Sequence, residues 1–128
     1  VTLVDTSSWV PFLRRDGDHV IKERVGRLLH EGTAVVCPIV LTELWMGAGS
    51  EKDRADVLDM QNVLPCLAMN RAVWERSYKL AKTCRAHGTP VPASDLIIAA
   101  CAFIHEASIE ANDKHFRMLV GYRGMGQN

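Results

Sequence analysis

The stretch Asp95–Glu106, DLIIAACAFIHE, is apolar around almost the whole circumference of a helix. Such a helix has to be buried on most sides, so it needs layers of structure around it rather than a single neighbour. Its uninterrupted apolar run, Leu96 to Ile104, covers nine residues. That is about half of what crosses a bilayer, and it predicts a core helix with no membrane role. Ser94 stands where a helix cap belongs.

Short apolar segments alternate with helical ones along the rest of the chain. Thr2–Asp5 reads as a first strand ending at an acid, Ala34–Cys37 as a second, Leu64–Met69 as a short third and Ser108–Ala111 as a last core strand. Between them, a helix is expected over Trp9–Arg14, with Pro11 in its first turn. Residues 19–31 form another, with Ile21, Val25, Leu28 and Leu29 on one face and Gly32 as its stop. Further helices cover Ile39–Met46, then Ser50 to about Asn62, opened by Ser50 with Asp53 three residues on. Residues 71–87 place Val73, Trp74, Leu80, Ala81 and Cys84 on one face, with Arg71, Arg76, Lys79, Lys82 and Arg85 over the other. No repeat or linker interrupts the pattern, so residues 1–128 read as one α/β domain built on a parallel sheet covered on both faces. In that architecture, sites form outside the carboxyl ends of the strands.

Lys plus Arg and Asp plus Glu both total 15, for no net charge. A protein that coats nucleic acid by charge alone, or a polybasic membrane binder, is therefore excluded. No charged segment followed by an apolar one opens the sequence, which argues against export. Cys37, Cys66, Cys84 and Cys101 are separated by 29, 18 and 17 residues, so they lack the paired spacing of a zinc or redox site. They read as buried, reduced thiols of a cytoplasmic protein.

Four acids stand out by position. Asp5 ends the first strand, Asp113 follows the last, Glu43 sits within the apolar Ile39–Met46 segment, and Asp95 occupies the first turn of the apolar helix. Each has an ordinary reading alone: a turn residue for Asp5, a loop carboxylate for Asp113, a helix-start acid for Asp95. Glu43 is the hardest to dismiss, because an ionised carboxylate among apolar residues needs a partner. If the four converge, a cation is required, since two carboxylates about 5 Å apart repel by roughly 3 kcal/mol at an effective dielectric near 20. Hard oxygen ligands favour Mg²⁺ or Mn²⁺, and such a cluster suits phosphodiester hydrolysis by an activated water.

The blocks Leu3-Val-Asp5-Thr-Ser-Ser-Trp9, Thr42-Glu43-Leu44, Pro92-Ala-Ser-Asp95-Leu-Ile-Ile-Ala-Ala100 and Asn112-Asp113-Lys-His-Phe116 resemble the signature blocks of PIN-domain ribonucleases, in particular VapC-type toxins. The resemblance covers essentially the whole chain, with separations of 38, 52 and 18 residues between successive acids. It implies a three-layer α/β/α sandwich around a mainly parallel sheet of four to five strands. It also implies a Mg²⁺- or Mn²⁺-dependent endoribonuclease, a homodimer, and a cognate antitoxin that silences it. Asp5, Glu43, Asp95 and Asp113 take the places of the family's catalytic, metal-binding acids, with Thr6 able to hydrogen-bond an acid or a phosphate. Ala111 departs from the pattern where relatives carry a hydroxyl residue, and the glycine-rich end, residues 121–128, shows no clear final strand. Other readings are a PIN nuclease of RNA processing without an antitoxin, or a binding module that has lost catalysis; the presence of all four acids argues against the latter.

RNA as a partner calls for cations beside the acids. Residues 71–90 carry a net charge of +4, and Lys114, Arg117 and Arg123 follow Asp113. His115 is expected to mark position rather than act, and His19, His30, His87 and His105 to lie at the surface or an interface. Trp9 and Trp45 read as core residues. An apolar groove near residues 9–14 or 44–60 could receive an antitoxin helix.

Overall fold

In the computed structural model, which describes residues 1–125, β1 (Thr2–Val4), β2 (Ala34–Val35) and β3 (Ser108–Glu110) form one parallel sheet in the order β2-β1-β3. Seven helices surround it: α1 (Thr6–Leu13), α2 (His19–His30), α3 (Pro38–Gly47), α4 (Glu51–Val63), α5 (Arg71–Ala86), α6 (Ala93–Ile104) and α7 (Lys114–Val120). From β1 the chain crosses through α1 and α2 to β2 on one side. From β2 it returns through α3–α6, past β1, to β3 on the other. Right-handed crossovers in opposite directions put their helices on opposite faces, and the reversal occurs at β1. A site is thereby expected at the carboxyl ends of β1 and β3.

The parallel α/β sandwich agrees with expectation, but the sheet has three strands rather than four or five. The expected third strand, Leu64–Met69, contracts to one parallel bridge, Val36 with Cys66, held by Val36 N–H to Pro65 O (3.0 Å) and Leu67 N–H to Val36 O (2.8 Å). Pro65 has no amide hydrogen to donate, which limits pairing there. At the other end, residues 121–125 form turns with no strand, and the remainder of the expected strandless tail lies outside the described residues.

α6 is buried nearly all round, as its composition demands: Leu96, Ile98, Ala99, Ala100, Cys101, Ala102 and Phe103 all lie in the core. It starts at Ala93 with Pro92 in the cap position, so Ser94 lies inside the helix and is not its cap. α1 begins at Thr6, well before Trp9, because Asp5 caps it; Pro11 therefore lies in the helix interior. Gly32 (φ +72°) and Gly88 (φ +64°) end α2 and α5 in the left-handed region. Glu106 does the same after α6 at φ +55°, without glycine's freedom. α7, built on Lys114–Val120, was not foreseen; its buried residues are Phe116 and Leu119, one turn apart on one face.

Of the cysteines, Cys37, Cys84 and Cys101 are buried and free as expected, whereas Cys66 is exposed at its isolated bridge. Trp9 is buried, but Trp45 is at the surface, its indole N–H donating to Gln61 Oε1 at 2.8 Å. Among the described residues no helix is long and apolar enough to cross a membrane.

Candidate metal centre and active site

The chain leaves β1 at Val4, and Asp5 follows in an extended conformation, only 4% exposed. Its amide N–H donates to Glu110 O at 2.8 Å, stitching the end of β1 to the end of β3. Its Oδ2 accepts from Ser7 N–H at 3.0 Å and so caps α1. The Ser7 hydroxyl in turn accepts from Asn112 N–H at 2.9 Å, which ties the first turn of α1 to the loop after β3. The acid that ends β1 and the acid that follows β3 are thus held beside each other by backbone contacts.

Asp113 repeats the arrangement of Asp5. Its Oδ1 accepts from His115 N–H at 2.8 Å and caps α7. The imidazole of His115 folds back, placing Nδ1 2.9 Å from Asp113 Oδ1 and 3.1 Å from Asp95 Oδ2. Asp95, 8% exposed, is in the first turn of α6. Glu43, half-buried on α3, accepts a hydrogen bond from the Thr6 hydroxyl at 3.0 Å.

Charge links all four acids. Burial pushes the Glu43 carboxyl above its ordinary range; the Thr6 hydroxyl opposes this, and the charges of Asp5 and Asp95 add to it. Burial also raises Asp95, followed by repulsion from Asp113 and Asp5, while His115 counteracts. Each of the four therefore lies within electrostatic reach of another, which is the convergence that the sequence required. They are not equivalent, however. One oxygen each of Asp95 and Asp113 and a ring nitrogen of His115 lie within 4.8 Å of one another, a spacing that could hold a metal ion. Asp5 and Glu43 stand outside that tight group.

His115 is the residue that the sequence undervalued: it bridges two of the acids instead of marking their place. The available signal was an acid two residues before a histidine at a helix start, a spacing that lets one carboxylate cap the backbone and meet the ring. Glu110 was missed altogether. It accepts from Ser8 Oγ at 2.7 Å and from Arg24 Nε and Nη2 at 2.7 and 3.1 Å, bracing α1 and α2 against the end of β3.

Two of the basic residues considered for RNA are committed elsewhere. Arg76 is 5% exposed, and its burial lowers its pKa. Its guanidinium and that of Arg123 lie 5.2 and 5.0 Å from the centre of the Phe103 ring. Arg76 donates to the carbonyls of Tyr122 and Arg123, and Arg123 to those of Ala102 and Ala107. A cleft of about 170 Å³ lies between α1, α3 and α4 where an apolar groove was expected, but it is only partly apolar: Val10, Leu13, Leu44 and Val57 share its lining with Arg14, Glu43, Asp53 and Asp56.

A parallel α/β sheet that gathers four acids from the ends of β1 and β3 and from two helices defines a PIN domain, and that family matches residues 2–120. Ribonuclease VapC11 of Mycobacterium tuberculosis is 32% identical over 123 residues, covering 91% of this chain and 90% of the relative. VapC ribonuclease Mb1587 of Mycobacterium bovis matches to the same extent. The chain belongs to the PIN-domain family and, within it, to the VapC ribonucleases. Among solved structures, VapBC-1 from nontypeable Haemophilus influenzae superposes with a TM-score of 0.73 at 27% identity, covering 94% of this chain and 92% of that one. FitAcB from Neisseria gonorrhoeae, at 18% identity and a TM-score of 0.76 over 94% of each chain, shares the fold.

Proposed function

We propose that this protein is a divalent-metal-dependent endoribonuclease, the toxin of a toxin–antitoxin pair, which hydrolyses RNA phosphodiester bonds in the cytoplasm. The observation that carries the chemistry is the convergence of Asp5, Glu43, Asp95 and Asp113 at the carboxyl ends of β1 and β3. RNA as the substrate is supported by the relatives named as ribonucleases.

The donor set fits a cation. Burial and neighbouring carboxylate charge raise Glu43 and Asp95, so a shared positive charge would relieve them, and carboxylate oxygens are the hard ligands that Mg²⁺ and Mn²⁺ prefer. Asp95 and Asp113 would hold the ion, with Asp5 and Glu43 flanking it. When bound, the ion supplies Lewis acidity toward a phosphate oxygen and lowers the pKa of a water. Glu43, held by the Thr6 hydroxyl and raised by burial, would take the proton of the attacking water. His115 Nδ1 lies against Asp95 Oδ2 and Asp113 Oδ1 and would steady both carboxylates.

The cleft between α1, α3 and α4 joins an apolar wall to charged side chains, Arg14, Glu43, Asp53 and Asp56, and suits an amphipathic helix of the antitoxin lying beside Glu43. VapBC-1, which this chain resembles, supports an antitoxin as the partner. A homodimer belongs to the same reading. Purified protein should cleave RNA with Mg²⁺ or Mn²⁺ and stop with chelator. Asp95→Asn, and Asp5→Asn, which keeps a capping side chain, should abolish cleavage. Wild-type rates in both variants, or cleavage indifferent to chelation, would falsify the assignment.

A further inference from the structure

A second cleft, about 450 Å³, lies between α2, β3 and α7 and shares Asp113 with the acid cluster. Its floor includes Ile109 and Phe116, and its polar rim is Arg24, Asn112, Lys114 and Arg117. We infer that this cleft holds the phosphate backbone of the RNA strand next to the scissile bond, with Lys114 and Arg117 as the contacting cations. The inference rests on the ribonuclease reading and deepens it.

Four carboxylates exceed the charge of one divalent ion, so a polyanionic strand approaching Asp113 needs further positive charge close by. Arg14 lies in the other cleft with Glu43, where Asp53 and Asp56 share the lining and offset its charge. Arg24 is spent on Glu110. Arg76 and Arg123 are turned inward against Phe103 and backbone carbonyls, and Arg71 is paired with Glu75. Lys114 and Arg117, by contrast, are exposed and have no hydrogen bond or ion pair among the described residues. They stand three residues apart on α7, which puts both side chains on one face of the helix and on the rim of one cleft. Asp113 fixes where that face begins, since it caps α7 while contributing to the acid cluster. The exposed bases of α5 lack this connection; Arg85 lines a different cleft with Trp74 and Tyr78, which contains none of the four acids.

The test is fluorescence anisotropy with a short labelled single-stranded RNA, in Ca²⁺ to suppress turnover, across a salt series. Wild type is compared with Lys114→Gln/Arg117→Gln and with Lys79→Gln/Lys82→Gln, and thermal melts and Mn²⁺ calorimetry check that each variant is folded with its acid cluster intact. The α7 variant should bind roughly tenfold more weakly at low salt, with the slope of log affinity against log salt reduced by about 1.4, two single-strand contacts' worth. The α5 variant should match wild type. An unchanged slope and affinity in the α7 variant, or an equal loss in the α5 variant, overturns the inference while wild-type RNA cleavage leaves the nuclease reading standing. Wild type that neither binds nor cleaves RNA overturns both.

Discussion

The Thr6 hydroxyl donates to Glu43 Oε1 at 3.0 Å across 37 residues of sequence, joining the first turn of α1 to the middle of α3. Among the described residues it favours the ionised form of Glu43, against burial and the charges of Asp5 and Asp95. Thr6→Val keeps the shape and removes the donor, so Glu43 should protonate at higher pH. The acid limb of the pH profile of kcat/KM should move upward, with the plateau above it largely retained. A lowered plateau with an unmoved limb would assign Thr6 to substrate contact instead.

Glu43 and Asp95 both have folded-state pKa values raised above the ordinary carboxylate range. Raised values mean that the folded state binds these protons more tightly than the unfolded chain does. The stabilisation is full below the unfolded pKa and is lost as pH rises through the folded values. Without divalent ions, the contribution of these groups should therefore favour mildly acidic over neutral pH, and Asp95→Asn should flatten that dependence and raise the melting temperature at neutrality. Adding Mn²⁺ should restore stability at neutral pH, by about 2.7 kcal/mol at a hundredfold excess over its dissociation constant, and much less where the acids are protonated. Melting curves at two pH values, with and without the ion, decide this; an ion effect equal at both sinks it.

His115 Nδ1 touches both Asp95 and Asp113. Losing a residue that orients ligands typically weakens metal binding by about 10- to 100-fold. Calorimetry with Mn²⁺ should show a loss of that order in His115→Ala. An affinity equal to wild type would mean that the two carboxylates hold their positions unaided.

Gly17 lies between α1 and α2 with its α-carbon against the Pro11 carbonyl, and a methyl group there would collide with that backbone oxygen. Backbone cannot step aside as a side chain tip does. Gly17→Ala should destabilise by about 1–3 kcal/mol, measured as a shift in urea midpoint at constant m-value. A neutral result would show that the α1–α2 connection is adjustable.

The parallel α/β plan and the four acids were legible because strands and helices announce themselves by periodicity and because the acids sat at strand ends or in apolar company. α6 was readable from composition alone. The loss of the expected third strand was not, since Leu64–Met69 looks apolar and extended while Pro65 restricts its pairing to the bridge at Cys66. Arg76 was placed on a solvated face by its charge; what buries it is Phe103 and the chain around Tyr122, both distant in sequence. His115 shows the same limit, because its meaning depends on Asp95, 20 residues earlier. Long-range partners decided the cases of Arg76 and His115, and a local pattern does not carry them.

Asp5 and Asp113 cap α1 and α7, whereas Glu43 and Asp95 sit within helices and cap nothing. Replacing either capping acid by a residue unable to accept a hydrogen bond therefore injures a helix start as well as the acid cluster. Replacing Glu43 gives up the Thr6 contact but leaves both helix starts intact. In a lineage released from selection for toxicity, harmless disarmament should thus appear first on α3, leaving a well-folded, silent protein still able to engage whatever binds its outer surfaces.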